Sequence, residues 1–258
     1  MSDPSFLRLK YPAWCRLCGR YLKPGTKAWW DRSNQHAICI SCDIRQPADP
    51  YEGINPALLG TPGGSAQAEC DRLVGRPGAA SYGKGAVGER RLSKLLHEPC
   101  DWGTPIVLED RRVGIRSNID HIAIVPTGVY VIDAKNWAGR VELKVGRSGG
   151  RQVKRLMVNG GDHTDLVSNM AWQIDTVLAA LDGTEVPITP VVCFVGEDNW
   201  ARHHAGFDIA GVKVLPGGLL AELVRRNGSV NLSVRIECGR LISMQLPPAF
   251  QEDKRRAG

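Results

Sequence analysis

The chain has 258 residues, 43% of them hydrophobic, and a formal net charge of +6. That is enough apolar text for a sizeable core, and no run approaches the length of a membrane span, which excludes a helical membrane protein. The first residues form no apolar signal segment, and the eight cysteines do not follow a secreted disulfide framework, so the expectation is a cytoplasmic protein without a membrane partner.

Residues 1–46 hold eight Lys/Arg against three Asp/Glu, a net of +5, which leaves +1 for the remainder. Cys15-x-x-Cys18 and Cys39-x-x-Cys42 stand 20 residues apart. Each pair closes a tight knuckle and four thiolates complete a tetrahedron, so this segment is expected to be a four-cysteine zinc ribbon holding one structural ion. Such a site has no open coordination position and needs no help from His36. Trp14, Trp29 and Trp30 are expected to form its small core, and its basic charge suits a polyanion. Cys70, Cys100, Cys193 and Cys238 are expected to be thiols in packed positions.

Residues 47–85 are rich in Pro, Gly, Ala and Ser and read as a linker with a short helix over Ser65–Val74. A domain over 86–250 follows, with a disordered tail over 251–258. Ala86–His97 is helical, with Leu92, Leu95 and Leu96 as its buried stripe, and Glu89 falls on that stripe. Thr104–Leu108 reads as a strand followed by a charged turn through Glu109-Asp110-Arg111-Arg112.

Asn118–Gly139 is the organising stretch. Two apolar runs flank Pro126-Thr127-Gly128, as in a hairpin of central strands. Asp120, Asp133 and Lys135 interrupt them, and period-two alternation puts Asp133 and Lys135 on one face. If Thr127-Gly128 form a two-residue turn, Val129 pairs with Pro126 and Asp120 lies opposite Lys135. A three-residue loop with Gly128 as a bulge would put Asp120 on the other face. The first register is preferred because two carboxylates and an amine then share one end, where a divalent cation relieves the repulsion of the acids. A lysine there can position or polarise an attacking water.

Arg140–Val145 and Gln152–Val158 read as a second hairpin, with Val141, Leu143 and Val145 facing in. Arg140, Lys144, Arg147, Arg151, Lys154 and Arg155 stand there against Glu142 alone, a candidate phosphate-binding ribbon beside the acids. Thr164–Leu181 is the longest helix, striped by Leu166, Met170, Ile174, Val177 and Leu181, with Gln173 beside the stripe. Pro190–Val195 and Val212–Leu215 read as strands and Leu219–Arg226 as a helix, while Val230–Glu237 is ambiguous. His203-His204 has no further ligands to converge with and stays unassigned.

The run Ile119-Asp120-His121-Ile122, the Pro126-Thr127-Gly128 turn, Val129-Tyr130-Val131-Ile132-Asp133-Ala134-Lys135-Asn136-Trp137-Ala138-Gly139 and the upstream Gly88-Glu89 together resemble the nuclease-related domain, NERD, of the PD-(D/E)XK nuclease superfamily. The likeness runs from about Gly85 to Pro216. One residue departs, since Asp133 stands where the family usually carries Glu. The resemblance implies an α/β (α+β) fold, a restriction-endonuclease-like mixed central sheet flanked by helices. It also implies Mg²⁺ or Mn²⁺ on Asp120 and Asp133, aided by the Ala134 carbonyl and by Glu89, with Gln173 contacting the site or substrate. The expected activity is hydrolysis of DNA. A ribonuclease, and an inactive nucleic-acid-binding or recruitment protein of the same fold, are the alternatives.

Overall fold

The structure is a computed structural model that describes residues 5–16, 19–32, 35–39, 42, 50–51, 53–98, 100, 102–115, 117–196, 200 and 206–250. Cys18, His203-His204 and the 251–258 tail lie outside the described residues. The chain divides into two units, Met1–Asp49 with Asn231–Ser233, and Pro50–Val230 with Val234–Gly258.

The smaller unit is built of short strands: β1 (Ser5–Arg8), β2 (Ala13–Trp14), β3 (Tyr21–Leu22), β4 (Lys27–Asp31) and β5 (His36–Cys39). They form an antiparallel β1-β4-β5 sheet and a β2-β3 pair. Leu9, Leu22, Ala28, Ala37 and Ile38 make the core, with Cys15 and Cys39 buried among them. Trp29 and Trp30 pack on it half-buried, but Trp14 does not join it. Trp14 is 65% exposed and its ring meets Tyr21 edge-on, because its two-residue strand pairs with β3 and leaves the indole outside.

The larger unit contains α1 (Gly64–Arg72), α2 (Ala79–Leu96), β6 (Ile106–Val113), β7 (Ser117–Val125), β8 (Gly128–Lys135), β9 (Val141–Ser148), β10 (Arg151–Val158) and β11 (Gly161–Asp162). It continues with α3 (Asp165–Ala180), β12 (Ile188–Phe194), β13 (Phe207–Ile209), β14 (Val212–Pro216), α4 (Gly217–Val224) and α5 (Leu232–Gln245). Six strands form one mixed sheet in the order β13-β14-β12-β8-β7-β6, with β12 parallel to both β8 and β14. Leu92 and Leu96 of α2 and Leu220 and Val224 of α4 pack on one face. Met170 and Val177 of α3, Cys238 and Ile242 of α5, and Val141, Leu156 and Val158 at the base of the β9–β10 ribbon pack on the other. No described helix is long and apolar enough to cross a membrane.

Three sequence expectations change. From residue 50 the supposed linker belongs to the larger unit. Ile54 is buried in its core, and Ser65 at the start of α1 donates through N and Oγ to Asp110 at 2.8 and 2.7 Å. Second, α2 begins at Ala79 and not at Ala86, since Gly83 lets it close on α1, where an added Cβ would stand 3.2 Å from Cys70 Sγ. Third, Glu109-Asp110-Arg111 is no turn but the buried heart of β6. Charge suggested exposure, but each of these groups finds its partner inside. Arg111 donates to the carbonyls of Leu246 at 2.7 Å, Leu58 at 2.6 Å and Ser243 at 3.3 Å, tying α5 and the segment before α1 to the edge strand.

Smaller differences follow from burial. Val145 is 49% exposed because the ribbon leaves the core after Leu143. Cys193 and Cys238 are buried, whereas Cys70 and Cys100 are only half-buried. The ambiguous segment after Val230 is mostly helix, α5.

Arg111→Leu would leave these carbonyls without their donor and would remove the positive charge beside Asp110. We expect a loss of about 3–5 kcal/mol in urea unfolding. An unchanged midpoint would show that the guanidinium does not tie the helices to the sheet.

Candidate active site

The β7–β8 hairpin turns on Pro126-Thr127, with Val125 opposite Gly128 and His121 opposite Ile132. Its continuation sets Asp120 against Asp133, and not against Lys135 as the Thr127-Gly128 turn required. Gly128 is needed inside the strand, where φ is +130° and an added Cβ would lie 2.3 Å from the Pro187 carbonyl. The displacement is two residues, so parity survives and Asp120, Asp133 and Lys135 still share a face. It is the face of Val129 and Val131, which α3 covers. At this end the ladder opens. Asp120 Oδ2 accepts from the Ala134 amide at 2.8 Å, and Lys135 Nζ donates to Asp133 Oδ1 at 2.5 Å.

Glu89 arrives from the helix on the opposite face. Gly88 makes this possible, because a Cβ there would stand 2.5 Å from Asn136 Cβ, just past the end of β8. Asn136 in turn donates to the Lys84 carbonyl at 2.8 Å, fastening α2 to the strand end. Glu89 is 6% exposed; the Gly63 amide donates to its carboxyl, and Oε2 has no partner among the described residues. A cleft of about 970 Å³ opens over Glu89, Asp120 and Lys135, with Ser65, Asn136 and Trp137 on its walls.

The electrostatics follow from crowding acids that are buried or half-buried beneath the cleft. Burial, and then Asp110 and Glu109, raise Glu89 to about 7. Burial, then Glu89 and Asp133, push Asp120 well above the ordinary carboxylate range. Burial alone would lower Lys135, but Asp133 and Asp120 outweigh it and hold the ammonium charged.

Residues 84–195 match the family model of the nuclease-related domain, NERD. The chain carries a nuclease-related domain. No curated protein and no solved structure gives a significant match. The NERD segment runs from within α2 to the end of β12 and so contains Glu89, Asp120, Asp133 and Lys135; α1, β13, β14, α4 and α5 complete the unit around it.

Gln173 lies inside the NERD segment on α3. It is buried, not at the surface, with Oε1 unpartnered among the described residues, and it does not line the cleft. Two features of the NERD domain escaped sequence reasoning. Asp110 lies where β6 faces Asp120 and accepts from Asn118 Nδ2 at 2.8 Å as well as from Ser65. Glu109 accepts from Ser93 Oγ at 2.7 Å and pairs with the fully buried His121. His121 adjoins Asp120 in the motif, which was the available signal; nothing in the text around Glu109 announced burial.

The basic ribbon reaches the cleft only through its base. Asn159 Nδ2 donates to the Ala138 carbonyl on the cleft wall, and its Oδ1 accepts from the Arg140 amide. Arg140 pairs with Glu142, Arg155 with Asp162, and Lys154 donates to the Asp208 carbonyl. Lys144, Arg147 and Arg151 are exposed, and at ~3.3 Å per residue Arg147 stands some 20 Å along the ribbon from Val141.

In the smaller unit Cys15, Cys39 and Cys42 bring their sulfurs within 4.8 Å of one another, and the Cys39 amide lies 3.3 Å from Cys15 Sγ. This group can hold a metal ion. Among the described residues no other three His, Cys, Asp or Glu ligand atoms gather so closely, so Glu89, Asp120 and Asp133 form a looser set.

The Glu89 shift has a measurable sign. The folded chain keeps this proton to about pH 7 while the unfolded chain releases it near 4.5, so stability falls as pH rises between those values. With no added divalent ion, Glu89→Gln should flatten that decline, by up to about 3 kcal/mol at pH 8. Parallel pH–stability curves for the two proteins would show that Glu89 is not held protonated.

Proposed function

We propose that this cleft hydrolyses the phosphodiester bonds of DNA with Mg²⁺ or Mn²⁺ as cofactor. The observation that carries the reading is the meeting of acids from α2, β7 and β8 beside one charged lysine at the mouth of a solvent-open cleft. The donor set suits a hard cation. It is all oxygen, Glu89 Oε2 is buried with no partner among the described residues, and repulsion among the acids awaits a positive charge. Asp120 and Asp133 would hold the ion, with the Ala134 carbonyl and with Glu89 directly or through water. When bound, it supplies charge neutralisation and acidifies a water.

The chain's own groups do the rest. Asp133 fixes the Lys135 ammonium, which keeps its proton and so acts as no base; it orients the attacking water and steadies charge developing on the phosphate. Glu89 would give up its proton to serve the ion, directly or through water, because a cation there offsets the burial and the neighbouring acids that raise it. Lys144, Arg147 and Arg151 would hold the phosphate backbone beyond the cleft, with Arg140, Lys154 and Arg155 toward its base, contacts that position without specifying sequence. Cys15, Cys18, Cys39 and Cys42 would bind a single structural zinc.

Asp120→Ala and Lys135→Ala should each lower DNA cleavage by at least about 100-fold while the protein stays folded, read as nicking of supercoiled plasmid with Mg²⁺ or Mn²⁺. Sustained cleavage by Asp120→Ala would sink the mechanism. The looser spacing of the carboxylates and Asp133 in the usual Glu position favour a second reading, an inactive binding protein of the same fold. Asp133→Glu separates the two: restored reach should keep or raise cleavage in an enzyme, and neither protein cleaves if the fold only binds.

Elemental analysis should find one zinc per chain, lost in Cys15→Ser and in Cys42→Ser. Two or more zincs, or none in freshly purified protein, would refute the four-thiolate assignment.

A further inference from the structure

We propose that the smaller unit carries a site selective for single-stranded nucleic acid: a groove that takes an unpaired base and its flanking phosphates. The groove has a volume of about 430 Å³ and runs along β1 and the following turn to the end of β4. Leu9, Tyr11 and the half-buried Trp30 line it, with Arg8, Lys10 and Arg32, and among the described residues no carboxylate does. Tyr11 is 78% exposed, so an aromatic face that gains from being covered is left open to water. Trp14 and Tyr21, 65% and 48% exposed, present further ring surface in the same unit.

Aromatic faces interleaved with cations, with no acid among them, match the two invariant features of an unpaired strand, flat bases and a charged backbone. A duplex hides its base faces in the stack and offers the groove phosphate alone. The surplus of cations over acids in residues 1–46 attracts either form, whereas the rings distinguish them. An acidic or apolar peptide is disfavoured, because three cations beside two rings exceed what a peptide side chain pairs with in one groove.

The site rests on the reading of this chain as a protein that acts on nucleic acid, but not on cleavage. The test uses full-length Asp120→Ala protein, without added Mg²⁺ or Mn²⁺ and without chelator, so that thiolate-bound metal is retained. Anisotropy of labelled oligothymidylate is compared with that of a duplex of equal length. Adding Tyr11→Ala should weaken single-strand binding about tenfold, within the range of one lost stack, and leave duplex binding unchanged. Tyr11→Phe should bind like the parent, since the ring and not the hydroxyl is used. Arg32→Glu should weaken the single strand and flatten its salt dependence. Equal loss for both nucleic acids, no loss for either, or failure of Tyr11→Phe to bind would overturn the site. Plasmid cleavage by the chain with Asp120 intact is scored separately, so a failed nuclease reading and a failed groove give different results.

Discussion

The larger unit is built around a conflict: Glu89, Asp120 and Asp133 are brought toward one place from which much of the water has been removed, with Lys135 as their nearest cation. Left charged and alone, such acids repel and cost the fold stability, and the shifts of Glu89 and Asp120 toward the protonated form express that cost. A fold keeps an arrangement of this kind only if the rest of the structure holds it in place. Here that restraint comes from all sides. The Ala134 amide binds Asp120, Lys135 binds Asp133, and the Gly63 amide binds Glu89.

The supports behind those contacts are of two kinds. Absence of side chain lets α2 approach the end of β8 at Gly88 and the Thr61–Gly64 turn approach Ala86 at Gly63. Buried charge fixes the edge strand: Asp110 holds the start of α1, Arg111 holds the carbonyls around α5, and Glu109 holds His121 and Ser93. β6 therefore joins elements far apart in sequence, and Asp120 on the neighbouring β7 is held against it. The smaller unit solves a different problem. Its apolar core is slight, so thiolates gathered at Cys15, Cys39 and Cys42 supply a point where metal coordination can replace missing hydrophobic burial.

The hairpin, its two neighbouring helices and the sharing of a face by Asp120, Asp133 and Lys135 could be read without a structure, because period-two and period-3.6 patterns are local. Even the misplaced turn did no harm to that conclusion, since a slip of two residues preserves parity. Ligand spacing within a C-x-x-C knuckle is likewise a short-range property, and Cys15, Cys39 and Cys42 do gather in the structure. By contrast, only the tertiary structure decided that Glu109-Asp110-Arg111 is interior, that residues from 50 onward are part of the larger unit, and that Trp14 stays outside a core. A charged or Gly-rich stretch reads as surface unless its partners are known, and those partners, at Leu58, Ser65, His121, Ser243 and Leu246, lie up to 135 residues away in sequence.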